Sequence, residues 1–244
     1  MASTLLGTDP PWLPTRRLVR AGALFGIAEG TVRVALSRMV AAGELDASGD
    51  GYRLVGRLLD RQARQAASRA AATVRWDGTW ELAVVRSGAA RSAADRAALR
   101  QALTDLRLGE LREGTWMRPA NLAPDRTPTA QPVAATQCLR VAHAVVEPDP
   151  EVTELWDLAA WAADAQVLRT EMTALLPRLE ADDPTALREG FETSAAVLRL
   201  LQRDPLLPRE LVPDGWPRTD LRTDYDHYDA VWRASFLRHL DAGP

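Results

Sequence analysis

The sequence predicts an α+β protein built in several pieces, and three observations predict it. The first 56 residues read as short helices followed by a two-stranded hairpin, residues 75–147 alternate strand with helix, and residues 148–244 read as helix throughout. The expected organisation is a head over 1–56, a linker helix over 57–74, an α+β unit over 75–147 and a helical C-terminal domain over 148–244. A chain of 244 residues is long enough for two or three such small units.

The head is taken element by element. Leu5 and Leu6 sit on a very short helix that Gly7 and Asp9-Pro10-Pro11 break, and Pro14 pushes Leu13 into an extended conformation. Thr15 is a favourable N-cap for a helix over 16–25, with Leu18, Ala21 and Leu24 inward. Gly26 ends that helix, and Glu29-Gly30-Thr31 opens another. On it Val32, Leu36, Met39 and Val40 form one apolar stripe, while Arg33, Val34, Ser37 and Arg38 project outward with Thr31 at the leading end. Gly43 stands where a C′ glycine stops a helix. Leu45 and Tyr52-Arg53-Leu54 then make two short strands around the turn Ser48-Gly49-Asp50-Gly51. A helix that displays arginine, serine and threonine beside a hairpin has the winged helix-turn-helix pattern. Helix-glycine-helix also builds many small α domains, and exposed arginines also form ordinary solvated faces.

Charge separates the alternatives. The net charge is −3, but residues 1–75 carry 11 arginines against 6 carboxylates, whereas 147–244 carry 10 against 20. A basic first third fits a polyanion-binding head on an acidic body. Lysine is absent, so every counted base is arginine and a Walker lysine is excluded. The composition, 46% hydrophobic and 26% charged, is that of an ordinary globular protein, and no apolar run approaches the ~20 residues of a membrane span. Met1-Ala2-Ser3-Thr4 does not begin a signal peptide, and the lone Cys138 fits a reducing compartment, so the expected location is the cytoplasm.

After the hairpin, residues 57–72 read as an arginine- and alanine-rich helix with little apolar face beyond Leu58 and Leu59. Trp80 to Val85 alternates as a strand, Ser92 to Leu108 as an amphipathic helix with Leu99, Leu103 and Leu106 inward, and Glu110 to Met117 as a second strand. A proline- and threonine-rich loop over 122–132 leads to a strand over Thr136–Val146, which makes the unit ferredoxin-like. Val152 to Leu176 reads as one helix with Leu155, Trp156, Ala159, Ala163 and Val167 inward, ended by Pro177. Thr185 to Arg203 is the next, with Phe191, Ala195, Leu198 and Leu201 inward. Asp204-Pro205-Leu206-Leu207-Pro208 breaks it, and Tyr225 to Leu240 is the last helix.

Little points to catalysis. There is no GxGxxG after a strand, and His143, His227 and His239 lack partners at metal-ligand spacing. Asp220, Asp224, Asp226 and Asp229 read as an acidic helix start favoured by the helix dipole rather than a cation site. No nucleophilic triad is legible, so no catalytic residue, metal or cofactor is expected.

Several segments together resemble the PaaX family, bacterial transcriptional repressors of the phenylacetate-catabolism type. They are Thr31-Val32-Arg33-Val34-Ala35-Leu36-Ser37-Arg38-Met39-Val40 in the head; Trp76-Asp77-Gly78-Thr79-Trp80, Leu99-Arg100 and Gly114-Thr115-Trp116-Met117-Arg118-Pro119 in the middle; and Leu155-Trp156-Asp157-Leu158 with the run from Asp204 to Trp216 in the tail. The resemblance implies a winged-helix head, a central domain similar to the ferredoxin-like Cas2 fold, and a helical C-terminal domain. It also implies a homodimer on a palindromic double-stranded DNA operator, released by a small-molecule effector that is an aryl-acetyl-CoA thioester in the archetype.

By carry-over, Thr31, Arg33, Val34, Ser37 and Arg38 face bases and phosphates, with Arg53 as the base of the wing. The effector is expected between the middle and C-terminal domains, where Trp116, Trp156 and Trp216 would give aromatic walls and Arg118 a cation for a phosphate. Tryptophans in a core need no ligand to explain them. The wing departs from the basic wing usual in the family, since Asp46, Ser48 and Asp50 precede Tyr52-Arg53. Cas2-type metal chemistry wants a carboxylate at the end of the first strand, and this strand ends Val84-Val85-Arg86-Ser87, so a nuclease is not expected. A different class stays open, a small-molecule-binding or thioester-processing protein whose head mediates protein contacts.

Overall fold

The computed structural model describes residues 2–86, 91–123 and 127–242. In chain order the head contains α1 (Ala2–Leu6), β1 (Trp12–Pro14), α2 (Thr15–Ala23), α3 (Glu29–Ala41), β2 (Leu45–Ser48) and β3 (Gly51–Leu54), and α4 (Arg57–Ala70) follows it. There follow β4 (Trp80–Val85), α5 (Ala93–Asp105), β5 (Gly109–Arg112), β6 (Thr115–Pro119), α6 (Ala130–Gln137), β7 (Cys138–Ala144) and α7 (Val152–Leu155). The chain closes with α8 (Leu158–Glu180), α9 (Ala186–Arg203) and α10 (Arg218–Asp241). Two compact units result. The first gathers Met1–Arg69, Ala165–Arg199 and Thr219–Pro244, the second Ala70–Asp164 and Leu200–Arg218.

In the first unit β1, β3 and β2 form an antiparallel sheet in that order. Leu5, Leu13, Leu18, Val32, Leu36, Leu45, Leu54 and Leu58 close one core beneath it. Each such side chain contributes about 1.5–3 kcal/mol when fully buried. Gly51 is required where β1 and β3 meet, because a Cβ there would lie 2.3 Å from the Leu13 carbonyl oxygen. The α2 N-cap is Pro14 and not Thr15. Thr15 instead donates its N–H (2.9 Å) and its Oγ1–H (2.7 Å) to the Asp50 carbonyl, which ties the hairpin tip to the start of α2. The apolar stripe of α3 is narrower than its sequence implies. Val32 and Leu36 are buried and Met39 half-buried, but Val40 faces solvent, because α3 packs chiefly on α2 and β2.

Helix α4 is tied down in its second turn and at its C-terminal end. Gln62 Nε2 donates to the carbonyls of Leu6 (3.1 Å) and Thr8 (2.9 Å). At the C-terminal end Arg222 donates to the carbonyls of Arg69 (3.2 Å) and Ser68 (3.0 Å), which satisfies last-turn acceptors that have no intrahelical partner. The long helices of this unit pack through aromatics. Phe25, Phe191, Trp232 and Phe236 form a chain of rings with centroids 5.1, 6.0 and 4.8 Å apart. Gly190 makes room for it, since a Cβ would sit 2.5 Å from Trp232 Cδ1.

The second unit has the order β5-β6-β4-β7 with every neighbour antiparallel. With α5 after β4 and α6 after β6, this is a complete ferredoxin-like β-α-β-β-α-β arrangement. One face is covered by α5 and α6 over Ala83, Leu103, Leu106, Trp116, Ala134 and Cys138. The other packs Trp80 and Met117 against Val152, Leu158 and Leu207. Ser92 caps α5 through a capping box with Asp95.

Three expectations are corrected. The strand read over Glu110–Met117 is a hairpin, β5 and β6, turned at Gly114 with φ of +74°. The strand read from Thr136 begins at Cys138, and the end of the proline-rich loop is α6. Pro132 lies in the first turn of α6, where its missing N–H costs nothing, so it did not break the helix. Finally, the helix read over Val152–Leu176 is interrupted at Trp156, whose backbone is extended. The restart at Leu158 shifts the phase, so Trp161, Ala165, Leu168 and Met172 are buried while Ala159, Ala163 and Val167 are exposed. The new helix runs through Pro177 to Glu180.

Candidate nucleic-acid interface

Helix α3 presents Thr31, Arg33, Val34, Ser37 and Arg38 to solvent. Val34 is 52% exposed, on the same outward face as the polar side chains. The arginines differ in their commitments. Arg33 places Nε 2.8 Å and Nη2 2.7 Å from Glu29 Oε1, one turn back on the same helix. Arg57 pairs with Glu44, and Arg17 with Asp241 at 2.6 Å. By contrast, no carboxylate among the described residues pairs with Arg16, Arg38, Arg53, Arg61 or Arg64, all of them exposed. The first turn of α3 is also open, because its N-cap, Ala28, provides no side-chain hydrogen bond to the leading N–H groups.

The wing is built as the sequence reads, but its positive charge lies in the middle rather than at the tip. Arg53 sits opposite Trp12 on β1 and Asp46 on β2, while the tip, Gly49-Asp50, carries only the carboxylate. Trp12 Nε1 donates to the Ser48 carbonyl (3.2 Å), so the hairpin is braced from β1.

The four residues expected around an effector are not brought together. Trp116 is buried under α5 and α6, with the Arg100 guanidinium 5.2 Å over its ring. Trp156 and Trp216 lie half-buried at the opposite face of the sheet, where Trp216 stacks on Trp161 at 4.8 Å. Arg118 is fully buried. Its Nε donates to the Pro119 carbonyl (3.0 Å), Nη1 to the carbonyls of Arg107 and Pro205 (both 3.3 Å), and Nη2 to Asn121 Oδ1 (2.7 Å). Asn121 Nδ2 in turn donates to the Leu206 carbonyl (2.9 Å). The guanidinium read as a cation for a ligand phosphate is therefore engaged inside the fold, where it fastens residues 204–208 to β6. Sequence reasoning took those residues for a helix break, and the adjacent prolines and leucines were the available sign of a buried strap.

Around Cys138, burial pushes the thiol above its ordinary range. No group of three or more His, Cys, Asp or Glu among the described residues is placed to hold a metal. Strand β4 ends at Val85 and Arg86 follows it, while Ser87 lies outside the described residues. Among the described residues no helix is long and apolar enough to cross a membrane.

Comparison with known proteins covers nearly the whole chain. Residues 2–61 match the family described as PaaX-like protein, 73–155 the PaaX protein central Cas2-like domain, and 156–242 the PaaX-like protein C-terminal domain. Among solved structures, the chain is similar to the uncharacterized protein Rv0674 from Mycobacterium tuberculosis. The two are 39% identical, with a TM-score of 0.74, over 97% of this chain and 95% of that one. No curated protein matches the chain. Head, Cas2-like middle and helical tail match in their family order, and the chain belongs to the PaaX family.

Proposed function

We propose that this protein is a transcription regulator that binds double-stranded DNA, a repressor acting as a homodimer on a palindromic operator and released by a small-molecule effector of the acyl-CoA thioester class. One observation carries the DNA reading. An exposed helix in a winged-helix frame shows Thr31, Val34, Ser37 and Arg38 outward, with Arg16, Arg53, Arg61 and Arg64 of the same unit free of carboxylate partners among the described residues. On a chain of net charge −3, so many uncommitted cations in one unit provide for a polyanion. In this reading Arg38 donates to guanine O6 and N7, Thr31 and Ser37 hold phosphates, and Arg53 adds a phosphate contact from the wing. A dimer would place two α3 helices on half-sites about 34–36 Å apart.

The test is fluorescence anisotropy with labelled duplexes, taken first from the region upstream of its own gene and then from a randomised library. Tight binding that weakens steeply with salt is expected. Failure to bind any duplex above the level of bulk polyanion attraction would sink the reading. For the effector, Trp156 and Trp216 are the two expected contacts that share one face. An acyl-CoA thioester that binds the folded protein must raise its melting temperature and lower its affinity for DNA. A panel of such thioesters that does neither removes the effector from the proposal.

A further inference from the structure

The outer side of α3 carries a feature that DNA binding in general does not explain. Ala28, Gly30, Thr31, Val34, Ala35 and Arg38 line a shallow open depression whose walls are mainly carbon. Gly30 sits on its rim without a reason in the fold. Gly26, Gly43 and Gly49 have φ of +68°, +67° and +63°, and Gly51 and Gly190 are forced by close neighbours. Gly30 has ordinary helical geometry, and a Cβ there would meet nothing within 4 Å. Gly30 is the second residue of α3, outside the helix interior where glycine costs most, and no close neighbour in the fold requires it. It leaves room for something to approach the helix backbone.

We infer that this depression is a reading pocket for the 5-methyl group of a thymine, with Gly30 as the clearance that lets α3 press against the base edge. The inference rests on the DNA reading above and names its substrate at the level of the base. Thymine alone among the four DNA bases shows a methyl in the major groove, and apolar side chains read it by contact. Val34, with Ala28 and Ala35 beside it, supplies that contact, which accounts for a large apolar residue left half in solvent. Arg38 lies one turn further on, about 6 Å along the helix axis. The preferred sequence therefore carries a guanine one or two steps from the thymine.

The experiment selects sites for the full chain from a randomised duplex library and then replaces each thymine of the selected site by deoxyuridine. At one thymine per half-site, loss of the methyl should weaken binding about four-fold. Val34→Ala should show the same loss on the thymine site and no further loss on the deoxyuridine site. Gly30→Ala should melt at or above the wild-type temperature yet bind roughly ten-fold more weakly. Deoxyuridine that is neutral at every thymine, or Gly30→Ala that binds as wild type or melts lower, overturns the inference. A library that yields no enriched sequence overturns the DNA reading itself, which separates the two failures.

Discussion

At the scale of the residue, the two arginines at the centre of α3 are not equivalent. Arg33 is held by Glu29 in an exposed i,i+4 pair, an interaction of only about 0.3–0.5 kcal/mol. Arg38 has no carboxylate partner among the described residues. Arg38→Ala should therefore cost about 1–3 kcal/mol on a selected site, and Arg33→Ala less. Glu29→Gln should tighten binding at low salt, because it removes a like charge from the phosphates and releases Arg33. Anisotropy titrations decide it, and weaker binding by Glu29→Gln would refute this account of the pair. Gly190 shows the opposite kind of glycine from Gly30. A methyl added there meets Trp232 Cδ1 at 2.5 Å, and Gly190→Ala should destabilise the protein by about 1–3 kcal/mol in urea titrations.

At the scale of the element, the turn between α8 and α9 carries a pH dependence. Arg238 donates to both oxygens of Asp182, at 2.6–3.0 Å, and holds that carboxyl below its ordinary value of 3.8. Thr185 does the same for Asp183 through its hydroxyl and N–H. Folded values below the unfolded ones mean that the stabilisation is complete above pH 3.8 and drains away as pH falls through the lower folded values. The urea midpoint should fall below that pH, and Asp182→Asn should fall less steeply over the same window. A mutant curve parallel to the wild type would show that the pair is silent.

At the scale of the whole molecule, the winged-helix head shares its compact unit with parts of the tail. Arg17 bonds Asp241, Arg20 Nη1 donates to the Leu240 carbonyl (3.0 Å), and Phe25 meets Phe191 edge-on. Residues 1–61 expressed alone should therefore melt well below the full chain in circular dichroism, and an equal melting temperature would show these ties to be idle. Net charge makes a second prediction at this scale. If several arginines neutralise phosphates, log affinity should fall linearly with log salt with a slope of about −0.9 per contact, and Arg61→Ala or Arg64→Ala should each reduce that slope without changing sequence preference.

Much of this was legible in the sequence. Apolar spacing placed α2, α3, the hairpin, β4 and α5, and the outward face of α3 followed from the same period, because each of these depends on side chains within a few residues of one another. What the tertiary structure alone decided depends on segments far apart. The phase of α8 was set by a break at Trp156, and α6 was hidden by a proline that its first turn tolerates. Arg118 lies beneath residues 204–208, about ninety positions away, and its charge became a fastening for their carbonyls. The sequence by itself determined helix α3 and the hairpin beside it, since local periodicity encodes them, whereas the order β5-β6-β4-β7 was decided by strands that meet only in the folded sheet. It could not determine which cations stay free or which are enclosed, because that is fixed by neighbours that meet only when the chain has folded.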